Sequence, residues 1–219
     1  RPLAALPKFS PAAMCFTGQM SGAFAFIGLC LAYWIDSRTS NRQLATAVFF
    51  FFTMEALQAV QYMFLATSIT DPVCKTMVNQ VLTVLGFLHI CMQPYFCHSI
   101  NHALAQRASP KYSPEHNQKL MKYHNQYIVV KRLCVIGGVL LFSRVPLAMM
   151  FPSLDTQESR HGLSQEWIRG DSLCTFKTES MVHLGWSLPM TDSTYLMQGI
   201  GLHSFLMFAP FFALYEKKG

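Results

Sequence analysis

The chain has 219 residues, 52% of them hydrophobic and only 13% charged, about half the roughly 25% charged share of an ordinary soluble domain. It carries 18 Phe and 13 Met, an excess that suits lipid-facing and helix-packing surfaces better than a soluble core. The net charge of +6 resides mostly in stretches between apolar segments, where Lys and Arg orient a membrane chain; this excludes a nucleic-acid-binding reading.

Residues 1–13, RPLAALPKFSPAA, hold two positive charges, three prolines and no acid. They read as the remainder of an organelle-targeting segment after cleavage, ahead of a single transmembrane helical domain over 14–219. Span one is expected over 14–35. Its Gly18, Ser21, Gly22, Ala23, Ala25 and Gly28 allow close helix packing, and Tyr33 and Trp34 mark an interface. A polar turn is expected at 36–42. Span two, 43–66, contains FFFFTMEALQAVQY. Glu55 falls near its middle, where a bare carboxylate costs about 2.5–3.5 kcal/mol. Gln58 and Tyr62 share its helix face, so this stripe must face the bundle. A short loop with Pro72 and Cys74 follows.

Span three, 76–104, carries Asn79, Thr83, His89, Gln93, Cys97, His98 and, near its end, His102. Its stretch GFLHICMQPYFCHSINH sets His89 and Gln93 four apart on one face, with a kink expected at Pro94. The connection 105–132 is basic and broken first by Pro110 and Pro114, with helix resuming over 119–127. Span four, 133–151, has the packing pair Gly137 and Gly138, the deeply placed Arg144, and Pro146 as a second kink. The long polar loop 152–192 holds six acids and three bases; Trp167 and Trp186 suggest that parts of it lie on the membrane surface. Span five is expected over 193–215, with Gln198, Gly199, Gly201, His203 and Pro210. The fold class is therefore an all-α polytopic membrane bundle of about five transmembrane helices.

Loops one and three and the C-terminal residues carry ten Lys or Arg, against six on the opposite side. The positive-inside rule places the C-terminus on the matrix or stromal side, and residues 1–13 and loop 152–192 on the more oxidising side. Cys74 and Cys174 share that side and form a candidate disulfide, with Cys15 as a competing partner. Cys30, Cys91, Cys97 and Cys134 read as small buried hydrophobes.

The motifs Met14-Cys15-Phe16, MEALQ (54–58), LHICMQPYF (88–96), LCT (173–175) and HLGWSLP (183–189) occur in an order that resembles an uncharacterised family of multi-span membrane proteins, bacterial and eukaryotic. That family opens with Met-Cys-aromatic-Ser and carries M-E-x-x-Q, L-H-x-x-x-Q-P-x-F and L-C-T…H-x-x-W-x-x-P. The resemblance places family motif positions at Glu55, Gln58, His89, Gln93, Pro94, Cys174, His183, Trp186 and Pro189, and implies no established activity. Two departures stand out. Thr17 occupies the usual Ser position, and bacterial members are longer, with further spans.

The intramembrane polar set is Glu55, Gln58, His89, Gln93, Arg144 and His203. Intramembrane ionisable groups are functional candidates by default, and several readings stay open. Arg144 can neutralise Glu55, and His89 can donate to a carbonyl. His89 and His203, with His98 or Glu55, can ligate zinc, as in membrane-embedded ceramidase-like hydrolases. His89 or His203 can serve as an axial ligand to haem or chlorophyll magnesium. His183 and Trp186 read as a loop contact, and His116, His124 and His161 as ordinary loop residues. No P-loop, G-x-G-x-x-G, G-x-S-x-G or C-x-x-C motif occurs, and Ser/His/Asp catalysis has no local support; the sequence by itself requires no cofactor, with haem, chlorophyll and zinc left open. The expected function is a non-catalytic subunit of an organellar energy-transducing complex, respiratory or photosynthetic, in the mitochondrial inner membrane or the thylakoid. Its partners would be the lipid bilayer and other membrane subunits. The alternatives are a membrane-embedded metal-dependent lipid hydrolase and a small transporter, each using Glu55, His89, Arg144 and His203.

Overall fold

The computed structural model describes residues 17–105, 113–155, 168–178, 183–192 and 200–214. The expected extension 1–13, the rival cysteine Cys15, His161, Trp167 and the start of span five at 193–199 lie outside the described residues. Five helices make up the described fold: α1 (Gly18–Thr39), α2 (Arg42–Gln61), α3 (Met77–Ala105), α4 (Pro114–Met150) and α5 (Ile200–Leu214). The first four are long and apolar enough to cross a membrane. The all-α membrane bundle is what the hydropathy pattern predicts.

Helix ends follow local chemistry. Thr17 opens α1, its hydroxyl accepting the Met20 N–H at 3.2 Å, an N-cap that satisfies an otherwise orphaned donor. The helix runs on through the expected turn at 36–39 and stops where Ser40 takes a left-handed conformation, φ 52°. Asn41 then caps α2 by accepting the Leu44 N–H at 3.0 Å. The real turn is thus Ser40–Asn41, because an exposed Asp36-Ser37-Arg38 is no obstacle to a helix end.

Span two also ends earlier than expected, at Gln61. A 3₁₀ turn, Tyr62–Phe64, follows, and Ala66 leaves the helix to pair with Phe176 in the loop. Pro114 opens α4 instead of breaking a connection. It occupies the first turn, where a missing N–H costs nothing, and Ser113 caps it by accepting from the His116 N–H. The result is one 37-residue helix, so His116 and His124 are helical, not loop, residues. Both α3 and α4 continue through their internal prolines, Pro94 and Pro146.

Contacts between α2 and α3 descend in register. Gln43 meets Ser99, Phe50 meets His89, and Gln61 meets Leu82, so the two are antiparallel neighbours. α4 packs on the opposite side of α3. At that seam a Cβ on Gly138 would sit 2.4 Å from the Cys91 carbonyl oxygen, so glycine is what allows the two backbones to touch.

The polar loop is an insert, not a connector. Strands β1 (Cys174–Phe176) and β2 (Gly185–Ser187) form an antiparallel hairpin with Thr175 opposite Trp186. The hairpin caps the bundle end formed by the 62–76 connection and the start of α3. Trp186 is buried, not at a membrane surface. It joins Phe87, Cys91, Leu141, Val145, Ile168, Leu188 and Met190 in the largest core cluster.

Candidate functional site

At the capped end, Cys74 sits on a 3₁₀ turn that Asp71 opens with Pro72 behind it. Asp71 accepts the N–H groups of Thr67 and Val73 and the Thr67 hydroxyl, and these bonds hold its carboxyl below the usual carboxylate range. Cys74 is disulfide-bonded to Cys174 on β1, with Cα atoms 4.9 Å apart. Beside the bridge, the amide of Asn79 on α3 acts as a two-way dock. It donates to the carbonyls of Phe64 and Thr175, both at 2.9 Å, and accepts the Thr175 N–H at 3.0 Å. One turn on, the Thr83 and Thr175 hydroxyls meet at 2.8 Å. These i and i+4 positions share a helix face, which is why one strand can engage both.

Trp186 lies over Gly86, where an added Cβ would be 3.0 Å from the ring and 3.1 Å from the Gln61 amide nitrogen. Gln61 is buried and donates to the Leu82 carbonyl at 2.9 Å. Arg144, fully buried, donates to the Thr191 carbonyl from Nε at 3.0 Å and from an Nη at 2.6 Å. Nearby, Arg169 bonds both Asp155 and Asp192. Burial alone would lower its guanidinium, but hydrogen bonds to Asp192 and Asp155 outweigh that and raise it.

At mid-depth, His89 donates from Nε2 to the Phe50 carbonyl at 2.7 Å. A carbonyl can only accept, so the proton is on Nε2 and Nδ1 carries the lone pair; that Nδ1 is buried and without a partner. The imidazole stacks on the Phe50 ring, centroids 4.0 Å apart, and Phe50 stacks in turn on Phe96. Glu55, one turn along α2, has a buried carboxylate oxygen with no hydrogen-bond partner. Gln58 instead faces α1, accepting from the Ser21 hydroxyl at 3.5 Å, and Gln93 is half-buried on α3.

At the basic end, His98 donates to the Leu206 carbonyl of α5 at 2.8 Å. Gln43 donates to the Ser99 carbonyl at 3.0 Å and reaches His102 Nδ1 at 3.2 Å. His102 Nε2 meets His124 Nδ1 at 2.8 Å, and its ring stacks on Tyr127. Because an amide N–H can only donate, His102 Nδ1 is the acceptor and Nε2 the donor, which sets His124 as the next acceptor.

The expected polar set is therefore dispersed. Glu55 and Arg144 are not paired, since Arg144 is turned to the loop and bonds Thr191. The candidate metal ligands do not converge either. His89 faces α2 while His98 faces α5, because their nine-residue spacing puts them on opposite sides of α3; His203 is buried on α5. Among the described residues no group of three or more His, Cys, Asp or Glu is placed to hold a metal ion. Cys91 and Cys134 are buried as expected, but Cys97 is half-buried and Cys30 is exposed. His183 is exposed and Pro189 half-buried. Asn79, Thr83, Gln61, His102 and His124 carry the contacts that sequence reading did not weight. The Asn-x-x-x-Thr spacing at 79–83 was the available signal; nothing local tied His102 to His124.

A family model described as a family of unknown function, DUF5765, matches residues 19–216. The chain belongs to this family. The match covers all four long helices, the capping hairpin and the described part of α5. No curated protein and no solved structure matches the chain.

Proposed function

We propose that this DUF5765 protein is a non-catalytic integral membrane subunit of a larger organellar energy-transducing complex, respiratory or photosynthetic. One observation carries the reading: six buried or half-buried polar side chains spend donors on main-chain carbonyls of other elements. Gln43, Gln61, Asn79, His89, His98 and Arg144 bond the carbonyls of Ser99, Leu82, Thr175, Phe50, Leu206 and Thr191. A group that moves protons or ions needs a partner it can exchange; a donor committed to a fixed carbonyl is a structural link. The outer helices support the same reading. Only 22% and 17% of the apolar windows of α1 and α2 are buried, against 39% for α3 and α4, which leaves broad faces for lipid or neighbouring subunits.

The disulfide-capped end faces the oxidising side of an inner or thylakoid membrane in this reading, and the basic end faces the matrix or stroma. Mild-detergent extraction from the native membrane, followed by native-gel separation, tests it. Co-migration with a large respiratory or photosynthetic assembly is expected. Recovery as a free monomer under conditions that keep such assemblies intact would overturn it.

A further inference from the structure

At the α3–α4 seam Gly138 lies directly against the Cys91 backbone. Towards the basic end the seam opens into a groove of about 470 Å³ lined by Tyr95 of α3 and by Ile128, Lys131, Arg132, Val135 and Ile136 of α4. The α4 residues fall at i, i+3, i+4, i+7 and i+8, one continuous stripe. Chemically the stripe has two halves. Lys131 and Arg132 are the last cations before the apolar run 133–142, so they mark the level where a membrane interface would lie. Val135 and Ile136 continue the groove into that run, and Ile136 is 56% exposed. The Lys131 ammonium lies 5.9 Å from the Tyr95 ring centroid, over the groove, and neither cation has a carboxylate partner among the described residues.

We propose that this groove binds an anionic glycerophospholipid, its phosphate on Lys131 and Arg132 and an acyl chain along Val135 and Ile136. Charge complementarity selects this occupant. A cationic pair at an interface, continuous with an apolar trough, matches a molecule with one anionic head and long apolar tails. An apolar helix of another protein would leave both cations unmatched. The site belongs to this chain by itself and does not depend on membership of a complex.

The test uses the full chain purified in mild detergent with phosphatidylcholine, with and without a minor share of phosphatidylglycerol. Native mass spectrometry counts the lipids retained. One phosphatidylglycerol retained in preference to phosphatidylcholine is expected. Each interfacial cation contributes about fivefold, so a Lys131→Gln, Arg132→Gln chain should bind about twenty-five-fold more weakly. Lys131→Arg should keep the lipid, which separates lost charge from lost folding. Lys119→Gln with Lys122→Gln, on the same basic helix but outside the groove, should leave retention unchanged. Equal retention of both lipids, or equal loss from the two double variants, would overturn the site. Displacement of the lipid by inorganic phosphate would also overturn it, because the acyl half would then carry nothing.

Discussion

Replacing Asn79 with Leu should release the capping hairpin from α3. Asn79 is 1% exposed and makes three hydrogen bonds to main-chain groups. Their loss is not uniform. The Thr175 carbonyl keeps a second donor, the Ala66 N–H at 3.3 Å, and the Phe64 carbonyl belongs to a residue 40% exposed. The Thr175 N–H, in a residue 1% exposed, would have no partner and no water. The orphaned buried donor costs about 1–3 kcal/mol and each of the other two lost bonds about 1 kcal/mol, so the sum is about 3–5 kcal/mol. For a chain of this size that is roughly 10 °C in midpoint temperature. The fluorescence of a thiol-reactive dye during heating is a suitable assay in a Cys30→Ser, Cys97→Ser background, because Cys91 and Cys134 are buried and react only when the bundle opens. Thr83→Val, which loses the hydroxyl contact to Thr175, should cost only about 1 kcal/mol. If Asn79→Leu shifted the midpoint no more than Thr83→Val, the amide dock would not be what holds the cap.

Three further outcomes follow from the same geometry. Gly138→Ala should destabilise by about 1–3 kcal/mol, since the added methyl meets the Cys91 backbone, which cannot rotate away, whereas Gly22→Ala meets nothing within 4 Å and should be neutral in the same melt. Arg144→Met removes the Thr191 carbonyl's guanidinium donors and should cost about 1.5–3 kcal/mol; with Glu55→Gln added, the effects of the two single variants should sum within about 0.5 kcal/mol, and a double variant milder than that sum by more than about 1 kcal/mol would restore the ion pair. Asp71 has a lowered folded pKa, so its stabilisation is complete at neutral pH and disappears as pH falls from the ordinary carboxylate range through the lower folded value; Asp71→Asn should flatten that acid limb in a pH series of melts.

Long apolar runs made the spans legible, because in lipid every backbone group must be satisfied inside its own helix. Proline was harder to read. At 114 it opens a helix, and only the Ser113 cap beside it distinguishes an opening from a break. Trp186 looked interfacial because a tryptophan in a polar loop usually is. Its burial depends on a hairpin folding back onto Gly86, a contact spanning 100 residues that no local pattern encodes. The polar set was legible as a set of residues but not as partnerships. Sequence pairs opposite charges, so it joined Glu55 to Arg144. The fold instead pairs Arg144 with a loop carbonyl, an acceptor present at every position and therefore invisible to composition.

That preference for carbonyls has a physical basis. Apolar burial gives helices little reason to associate inside a bilayer, so packing and interhelical hydrogen bonds must do so. The links lie at three depths: Asn79, Gln61 and Arg144 under the cap, His89 at mid-depth, and Gln43 and His98 at the basic end. Together they join α2, α3, α4, α5 and the loop into one body, with the disulfide closing the capped end. α1 is tied differently, by the Ser21–Gln58 contact and by Gly28 seated against the Phe52 ring. Its outer face presents Phe26, Tyr33 and Trp34 at 68%, 75% and 56% exposure. The hydrogen-bonded part of the bundle thus holds itself, while α1, held by its packing on α2, presents an exposed aromatic face. Under the proposed function, a neighbouring subunit docked on α1 would be exchangeable without disturbing the hydrogen-bonded core.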